Sequence, residues 1–484
     1  MTKKIYIIAS IVGSLLVFSL LPLFNYKVDR WRILHSDYTH LYTGSNMCNK
    51  TFLKTKFLCE TNNTYNTIFM GSSANGYIDD TRIGPKTYNM KYNFGLLAIH
   101  LHNLKVLLKN GVKIKNLWVG INDYIIWKEP KDYFNSFERH PYSSNLIENI
   151  KTYAFYLFKK PDMTDWYMFT NPYLQKSDLI TNPHPYLDAK ERYYEHQKHP
   201  QKWQEYMDNN HPILLHYDDT HYRIDSAILE IKELVNICKQ NNINLTLFIY
   251  PSWYKEQLEY NQIKLNEFKR KLANITNYYN FHEFNNKSFN AKYWQDPMHF
   301  SYLYGNYIVD SIHKHQHLVT KKNIKNIIKK HSENIIKYLI KPRNKIFSFG
   351  GEQNLTPMHQ IFSINNIILS NKMKPYKFKN NKATLSIELK NYGIISHLFY
   401  PNNKTTNYIL QIEVTTTEKS IMYYFYKNST LNDYNEHDSS HVTLKKGKNH
   451  IYLIIPNNFI NNGFRFDFDK NRGKYKIKKI VLYE

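Results

Sequence analysis

Thr67-Ile-Phe-Met-Gly-Ser-Ser-Ala-Asn-Gly-Tyr-Ile-Asp-Asp80 is the stretch that decides the fold of this 484-residue chain. Its first four residues, 67–70, read as a short buried strand, and Gly71-Ser72-Ser73 follows directly at the end of that strand. A glycine beside serines permits a sharp turn that leaves a hydroxyl exposed at the carboxyl edge. Open α/β sheets bind their ligands at that edge, so the serine is a candidate site residue.

Strands and helices alternate along the chain on either side of this stretch, in the order typical of a parallel α/β sheet. Apolar runs predict further strands at 87–90, 116–121, 244–250 and 279–284. Helical spacing of apolar residues predicts helices at 96–110, 224–240, 254–275 and 302–313. Together these elements predict a three-layer α/β domain over residues 67–319.

An insertion interrupts this alternation between residues 127 and 220, where Tyr, Trp, His and Pro are frequent and one helix is predicted near 145–158. Two interpretations are open. The insertion packs over the carboxyl edge of the sheet as a cap or acceptor groove, or it is a peripheral helical decoration. Aromatic side chains suit the faces of sugars, but aromatics make up 16% of the whole chain, so this local cluster carries little weight.

The C-terminal part differs in pattern from the α/β domain. Residues 320–343 form a basic amphipathic linker helix, which we expect to pack on the α/β domain; an anionic membrane surface is the alternative. Short alternating runs separated by Asn, Asp and Gly then predict an all-β sandwich domain over 344–484. The stretch 463–480 resembles the end of jelly-roll domains appended to bacterial glycan-modifying enzymes.

The amino terminus carries a candidate membrane anchor. Residues 5–24 hold no formal charge and are long enough to span a bilayer as a helix. The apolar run ends without a small-x-small cleavage site, which favours an uncleaved signal anchor over residues 1–25 above a cleaved signal peptide. Lys3 and Lys4 precede the run and Lys27, Arg30 and Arg32 follow it, so the charges leave its orientation open. Residues 26–66 are expected to connect the anchor to the first domain.

Charge and cysteine content restrict the partners and the compartment. The net charge of +25 favours anionic partners, but it is spread along the chain without a nucleic-acid motif, so no nucleic-acid partner is expected. Cys48 and Cys59 could pair in an oxidising compartment or stay unpaired, and Cys238 is expected to be a buried free thiol. No cysteine or histidine spacing predicts a metal site.

Polar residues follow the predicted strands at three places: Ser73, Asn122-Asp123, and the segment Asp296-Pro-Met-His299. A serine becomes a nucleophile only if a base lies within hydrogen-bond reach, and His299 is the candidate base. Taken alone, Asn122-Asp123 would be a turn cap and His299 a structural residue at a helix start. A parallel sheet would bring all three places to one edge, which favours a catalytic site.

These residues, in this order, resemble the marks of the SGNH or GDSL hydrolase family. The matching segments are Gly71-Ser72-Ser73, Asn93-Phe94-Gly95, Gly120-Ile121-Asn122-Asp123 and Asp296-Pro297-Met298-His299. The family's usual Gly-Asp-Ser is Gly-Ser-Ser here, which makes Ser73 the nucleophile and Ser72 the fallback nucleophile. Gly-Ser-Ser is similar to the membrane-anchored O-acyltransferase branch, such as the alginate acetylation and teichoic acid D-alanyl transfer proteins. In the second segment, Asn89 and Asn93 compete with Gly95 for the role of the family's glycine.

The resemblance implies a flavodoxin-like three-layer fold and a role for each residue. Ser73 is the nucleophile, His299 the general base, and Asp296 the carboxylate that orients it. The N–H groups of Ser73 and Gly95 and the side chain of Asn122 form the oxyanion hole. No cofactor and no metal are implied. The resemblance further implies a single-pass protein of the inner or cell membrane whose bulk is extracytoplasmic, in the periplasm or at the cell surface.

The predicted function is O-acyl transfer, with acetyl the expected group, to a cell-surface or secreted polysaccharide through an acyl-serine intermediate. A multi-span membrane acyltransferase is the expected partner that delivers the acyl donor. Two alternatives are open: a carbohydrate esterase or deacetylase with the same triad, and a non-catalytic glycan-binding or scaffold protein. Water attacking the acyl-serine gives the esterase, whereas a bound sugar hydroxyl gives the transferase.

Overall fold

The computed structural model of the protein describes residues 19–35, 41–42, 48–61, 64–134, 136–170, 176–177, 185–209, 221–260 and 262–340, and nine strands beyond residue 340. The chain divides into two compact units, Met1–His331 and Ser332–Glu484.

A six-stranded, mostly parallel sheet organises the first unit. Its strands are β1 (Thr67–Met70), β2 (Thr87–Asn89), β3 (Asn116–Ile121), β4 (Asn244–Ile249), β5 (Tyr278–Asn280) and β6 (Leu318–Val319). They lie in the order β6-β5-β4-β3-β1-β2, and all pairs are parallel except β6 with β5. The parallel strands therefore have the order 2-1-3-4-5 of a flavodoxin-like core, in which ligands bind beside β1 and β3. The predicted α/β sheet is confirmed.

Besides the N-terminal helical segment at residues 19–28, ten helices of eight residues or more are described with the sheet. They are α1 (Lys50–Glu60), α2 (Leu97–Lys109), α3 (Leu146–Leu157), α4 (Met163–Thr170), α5 (Leu187–Gln197), α6 (Pro200–Asn209), α7 (Ile224–Gln240), α8 (Gln262–Ala273), α9 (Tyr302–His313) and α10 (Ile324–Ile340). Shorter helical turns lie at Ser73–Tyr77, Asp80–Arg82, Asp123–Ile126, Lys131–Phe134, Tyr254–Glu259 and Ala291–Tyr293.

Helices cover both faces of the sheet, because alternate strand residues point to opposite sides. Ile68 and Met70 of β1 belong to the core that includes side chains of α1, α2, α7 and α8, whereas Phe69 belongs to a second core with α5, α6 and α9. The same alternation recurs at Trp118 in β3 and at Phe248 in β4. The three strands that lead to the candidate site are thus buried on both faces.

The predicted connecting segment, residues 26–66, contains a helix that belongs to the larger core. Asn49 caps the start of α1 by accepting a hydrogen bond from the Phe52 N–H at 2.9 Å. Phe52 and Leu53 are fully buried, and the buried Lys54 ammonium donates to the Asn89 carbonyl at 2.7 Å. Burial lowers the pKa of Lys54 well below its ordinary value. This segment is polar in sequence, yet it contains a helix that is part of the hydrophobic core.

The insertion, residues 127–220, splits into two parts with different neighbours. Helices α5 and α6 lie beside the candidate site: the Arg192 guanidinium is 5.8 Å from the Tyr77 ring, and the Trp203 indole donates to the Trp294 carbonyl at 3.1 Å. Helix α3 instead contacts the N-terminal segment, where the Asn25 amide donates to the Leu157 carbonyl at 2.8 Å. The interpretation as a cap at the edge of the sheet fits helices α5 and α6, and the interpretation as a peripheral decoration fits helix α3.

The C-terminal part begins with α10, whose Ile324, Ile327 and Ile328 pack on the core of the α/β domain. Beyond it, nine strands form two antiparallel sheets, of four and five strands. They are β7 (Lys345–Gly350), β8 (Ile367–Leu369), β9 (Ala383–Leu389), β10 (Tyr408–Thr416), β11 (Ser420–Lys427), β12 (Tyr434–Leu444), β13 (Gly447–Ile455), β14 (Phe464–Phe468) and β15 (Tyr475–Tyr483). That these two sheets pack face to face as a sandwich stays a prediction.

At the amino terminus the chain is helical over residues 19–28. Most of the predicted anchor, residues 5–18, lies outside the described residues. In the part of the chain that the structure covers, no helix combines the length and the apolar character needed to cross a bilayer. Cys48, Cys59 and Cys238 are free thiols, and burial raises the pKa of Cys59 to about 12.

Candidate active site

The three predicted triad residues form one chain of hydrogen bonds. Ser73 begins the helical turn after β1, and its Oγ lies 2.9 Å from Nε2 of His299, 226 positions further along the chain. The other ring nitrogen of His299, Nδ1, lies 2.9 Å from Oδ2 and 3.0 Å from Oδ1 of Asp296. A hydroxyl, an imidazole and a carboxylate therefore stand in the order that general-base activation of a serine requires.

A tight two-stranded loop positions the imidazole and the carboxylate. Trp294–Asp296 pairs antiparallel with His299–Phe300, so Asp296 and His299 lie on their own short hairpin. This differs from the sequence prediction, in which they follow a strand of the main sheet. Oδ1 of Asp296 accepts hydrogen bonds from the N–H groups of Met298 at 2.7 Å and His299 at 2.9 Å. The turn thereby fixes the carboxylate against the imidazole.

The environment of Asp296 keeps it ionised. Burial opposes its charge, but the hydrogen bonds from the His299 ring and from two backbone N–H groups outweigh burial, so the pKa of Asp296 lies below its ordinary value. Its side chain remains 35% exposed and that of His299 22% exposed, so the pair is accessible to a substrate. An ionised Asp296 holds the Nδ1–H tautomer of His299 and leaves Nε2 free to accept a proton.

An aromatic side chain supports the His299 imidazole. The Tyr77 ring stacks on the His299 ring with a centroid distance of 5.1 Å and an interplanar angle of 30°. Tyr77 is buried, and burial raises the pKa of its phenol, which stays neutral near neutral pH. The stack restricts rotation of the imidazole about its side-chain bonds. The sequence reasoning did not assign a role to this tyrosine, although it lies only four residues after Ser73.

Ser72, the fallback nucleophile, is turned away from the imidazole and caps its own turn. Its Oγ accepts a hydrogen bond from the Ala74 N–H at 3.2 Å, and the residue is only 3% exposed. Serine at such a position satisfies a backbone donor at the start of a helical turn. The hydroxyl within hydrogen-bond distance of the imidazole is therefore that of Ser73, whereas Ser72 caps the turn.

Gly95 lies directly against the backbone of the nucleophile turn. A Cβ atom on Gly95 would be 2.5 Å from the carbonyl carbon of Gly71 and 2.8 Å from the Ser72 nitrogen, so only glycine fits. The chain reaches this contact through Phe94, which has the left-handed φ of +56°. Neither the Ser73 N–H nor the Gly95 N–H is used by a backbone hydrogen bond of the described residues. Both are available to an oxyanion.

The asparagines that compete with Gly95 have different surroundings. Asn89 is fully buried, its amide donates to the Asn75 carbonyl at 3.1 Å, and its Oδ1 accepts from the Lys91 N–H at 3.0 Å. These bonds give Asn89 a structural role. Asn93 makes no hydrogen bond to the described residues. The close approach to the Ser73 turn belongs to Gly95.

Asn122 follows β3 at the neighbouring strand end. It starts the helical turn Asp123–Ile126 without making a side-chain cap, and its Oδ1 is buried without a hydrogen-bond partner among the described residues. Buried amide oxygens are usually paired, and such an exception calls for an explanation. An oxyanion needs a hydrogen-bond donor, however, so the predicted role of Asn122 would fall to its amide NH2 group and not to this oxygen.

A second polar cluster lies behind Asn122. The Asp123 carboxylate accepts hydrogen bonds from the Ser252 hydroxyl at 2.8 Å and the Tyr124 N–H at 2.9 Å, and its Oδ2 is 3.6 Å from Nε2 of His282. The Lys269 ammonium lies 3.2 Å from Nδ1 of His282. Burial raises the pKa of Asp123 to about 6 and lowers the pKa of Lys269 to about 8.

Tyr250 holds the ends of the central strands together. Its phenol donates a hydrogen bond to Oδ1 of Asn75 in the nucleophile turn. A Cβ atom on Gly71 would lie 2.2 Å from the phenol oxygen, and one on Gly120 would lie 2.0 Å from it. The two glycines therefore make the space for this ring.

Aromatic and basic side chains of the insertion flank the triad. Tyr186 stacks on Tyr302 at 5.9 Å, and in α5 and α6 the rings of His196, Trp203 and Tyr206 form a continuous stack with centroid distances of 3.6 and 4.7 Å. With Arg192 above Tyr77, they form one wall of the site.

The three predicted triad residues come together in the structure, whereas the oxyanion roles of Ser73, Gly95 and Asn122 stay predictions. The sequence did not single out the supporting residues. A simple signal was present for Ser252 and His282, because both follow a strand end just as Ser73 and Asn122 do. The partner of Tyr77 could not be inferred, since the stack joins residues more than two hundred positions apart. No known family model matches this chain, and no curated protein is significantly similar to it.

Proposed function

We propose that the protein is a serine-dependent O-acyltransferase of SGNH type that transfers an acyl group, with acetyl expected, to a cell-surface or secreted polysaccharide. The observation that carries the proposal is the hydrogen-bonded chain from Ser73 through His299 to Asp296 at the edge of a flavodoxin-like sheet. Fold alone says little about activity, so the proposal rests on the order and distances of these three groups.

In the first half-reaction, Nε2 of His299 takes the proton of Ser73 as Oγ bonds to the carbonyl carbon of the acyl donor. The charge that develops on the carbonyl oxygen is stabilised by the N–H groups of Ser73 and Gly95 and by the Asn122 amide. Collapse of the tetrahedral species breaks the bond to the leaving oxygen, which receives the proton from His299. An acyl-serine remains.

In the second half-reaction, a sugar hydroxyl gives its proton to His299 as its oxygen attacks the acyl-serine. Collapse returns that proton to Oγ of Ser73 and releases the acylated sugar. Asp296 stays ionised throughout and stabilises the imidazolium that forms in each half. Water entering in place of the sugar would give hydrolysis by the same steps.

The aromatic wall formed by the insertion favours a sugar as the acceptor of the acyl group. Aromatic faces pack against the C–H faces of pyranose rings, and the Tyr194 and Tyr206 side chains of α5 and α6 are 55% and 44% exposed. Arg192 adds a cationic donor close to the imidazole. A small-ester hydrolase would not need so wide an aromatic surface beside its nucleophile.

The proposal includes the location. Residues 5–24 anchor the chain in the inner or cell membrane, and the catalytic unit lies outside the cytoplasm with the C-terminal strands as a jelly-roll-like sandwich. A multi-span membrane protein delivers the acyl group across the bilayer. This part rests on the sequence pattern and on the family resemblance.

The test uses the purified full-length chain, Ser73→Ala, and Ser72→Ala as the matched control one residue away. We expect a serine-directed fluorophosphonate to label the wild type and Ser72→Ala but not Ser73→Ala. With acetyl-nitrophenol as donor, acetylated oligosaccharide should form faster than free acetate.

If free acetate is the only product both with and without oligosaccharide, the protein is an esterase. In cells, mass spectrometry of the surface polysaccharide should show acyl groups lost with Ser73→Ala. Unchanged acylation in those cells, together with no fluorophosphonate labelling of the wild type, would identify a non-catalytic glycan-binding protein.

A further inference from the structure

Exposed apolar side chains are concentrated in three neighbouring segments: residues 20–26, α3 with Phe158 just after its end, and α4. Of the fifteen large apolar or aromatic side chains exposed in the described part of the chain, eleven belong to this apolar surface. They are Leu20, Leu23, Tyr26, Leu146, Ile147, Ile150, Phe155, Phe158, Met163, Trp166 and Tyr167. Exposed apolar surfaces of this extent mark contacts with a membrane or a partner.

Direct contacts join the three segments. The Phe24 ring lies 4.5 Å from Trp166 and 5.1 Å from Phe169 of α4. The buried Asn25 amide donates to two carbonyls at the end of α3, those of Leu157 at 2.8 Å and Lys159 at 2.7 Å. The chain that arrives from the amino terminus is therefore fixed against α3 and α4.

An ion-pair cluster strengthens this attachment. The Arg30 guanidinium lies 2.8 Å from Asp162 and 3.5 Å from the buried Asp165, and the Lys159 ammonium also pairs with Asp165. Arg30 is itself only 14% exposed at its side chain. The Asp162 side chain is 50% exposed, but the pairs of Arg30 and Lys159 with the buried Asp165 are shielded and hold a defined geometry better than surface pairs do.

Helix α3 has an inverted pattern of exposure. Ile147, Ile150 and Phe158 just after its end are 63%, 58% and 59% exposed, whereas Thr152 and Tyr156 are buried. The buried side combines a hydrogen bond with an aromatic contact: the Thr152 hydroxyl lies 2.9 Å from Nε2 of His140, and the Tyr156 ring belongs to the larger core. A helix on the surface of a water-soluble domain normally turns its apolar face inward, so this helix is built to face an apolar medium.

The chain itself indicates what covers this surface. Residues 5–24, uncharged and long enough for a bilayer, end within it at Leu20, Leu23 and Phe24. Trp166 and Tyr167 are the residue types enriched at the membrane–water interface, and Lys27, Lys151 and Lys160 supply cations for anionic head groups.

We propose that the apolar surface of residues 20–26, α3 and α4 lies in the headgroup region of the bilayer that the anchor enters. It would fix the orientation of the α/β domain on the membrane, beyond simple tethering by a flexible chain. The inference rests on the membrane anchoring in the proposed function. It does not depend on the chemistry at Ser73.

The test uses the full-length chain in vesicles of phosphatidylcholine and phosphatidylglycerol. Single cysteines replace Ile150, Met163 or, as a control, Leu229, which is 62% exposed on α7. An environment-sensitive fluorophore is attached to each cysteine, and the unsubstituted chain measures background labelling of the native thiols. We expect the probes at 150 and 163 to shift to shorter wavelength and to be quenched by lipids carrying spin labels near the headgroup. The probe at 229 should respond only to aqueous iodide.

Three other outcomes would overturn the inference, and each is distinguishable. A chain that floats with vesicles but exposes positions 150 and 163 to iodide as fully as 229 is anchored without docking. Protection of these positions in native membranes but not in pure lipid vesicles would assign the surface to a protein partner. A chain that does not float with vesicles would contradict the anchoring itself, while fluorophosphonate labelling would still report on the catalytic proposal.

Discussion

Two groups of serine, histidine and aspartate side chains lie at the same edge of the sheet, and they differ in the order of their hydrogen bonds. In the triad, the His299 imidazole stands between the Ser73 hydroxyl and the Asp296 carboxylate. The histidine there is accessible, with 22% of its side chain exposed.

In the cluster behind Asn122, the carboxylate stands in the middle. Asp123 receives the Ser252 hydroxyl on one side and faces His282 on the other, and the His282 side chain is fully buried. Burial lowers the pKa of His282 well below its ordinary value, so it stays neutral and has no hydroxyl to deprotonate. The comparison shows that the same three residue types can be arranged with an accessible histidine or with a buried carboxylate at the centre, and only the first arrangement fits the proposed nucleophile.

The largest expected effect separates the two groups directly. Asp296→Asn should lower kcat by about 10³ to 10⁴-fold, because the amide favours the wrong imidazole tautomer. Initial rates with acetyl-nitrophenol and the rate of fluorophosphonate labelling would measure the loss. Asp123→Asn is the matched control and should keep labelling of Ser73. Equal losses in the two variants would contradict the division of roles.

A smaller effect is expected at the junction between the groups. Asn122→Ala should lower kcat by about 10² to 10³-fold, because one oxyanion donor is lost. KM should change little, since the donor acts mainly on the transition state. Unfolding of the variant by denaturant should match the wild type. A rise in KM at unchanged kcat would instead make Asn122 a substrate-binding residue.

A third change is expected to act on stability instead of catalysis. Ser252→Ala leaves the buried Asp123 carboxylate without its hydroxyl donor, which should lower the free energy of unfolding by about 1 to 3 kcal/mol. Denaturant unfolding followed by tryptophan fluorescence would measure it. Ser72→Ala, which removes a cap, tests whether loss of any buried hydroxyl has this effect. Loss of labelling at Ser73 in Ser252→Ala would show that the second group acts in catalysis.

The last expected effect is a pH dependence of the supporting cluster. Burial lowers the pKa of Lys269 to about 8, below the value near 10.5 expected in the unfolded chain. The unfolded chain therefore binds more protons between these values, and this residue makes native stability rise with pH from about 8 to 10. Lys269→Met should remove that contribution in thermal unfolding at pH 7.5 and 9.5. Lys264→Met, on the more exposed side of α8, should retain it.

The sequence predicted the sheet and the triad because both depend on local patterns. Strands β1, β3 and β4 are short apolar runs, and a polar residue follows each of them. Five parallel strands bring such residues to one edge whatever the details of packing. The sequence already favoured Ser73 over Ser72 as the nucleophile, but the turn that directs Ser73 to His299 and makes Ser72 a cap is visible only in the structure.

Other features depend on contacts that no local pattern records. Helix α1 buries Lys54 along with Phe52, so its sequence lacks the apolar spacing that predicts a helix in a core. The exposed isoleucines of α3 follow a normal helical period, which specifies a face but not the medium that the face meets. Those two findings come from tertiary structure alone.

Tyr250 restricts which residues can stand at Gly71 and Gly120. Because its ring occupies the space above Gly71 and Gly120, neither glycine can gain a methyl group while the tyrosine remains. In any set of homologous chains, we therefore expect these three positions to be inherited together. A lineage that exchanges the tyrosine for a smaller residue could accept alanine at Gly120, whereas a Cβ atom at Gly71 would still lie 2.3 Å from Oδ1 of Asn75. Such a lineage would also lose the phenol that bonds the turn of Ser73.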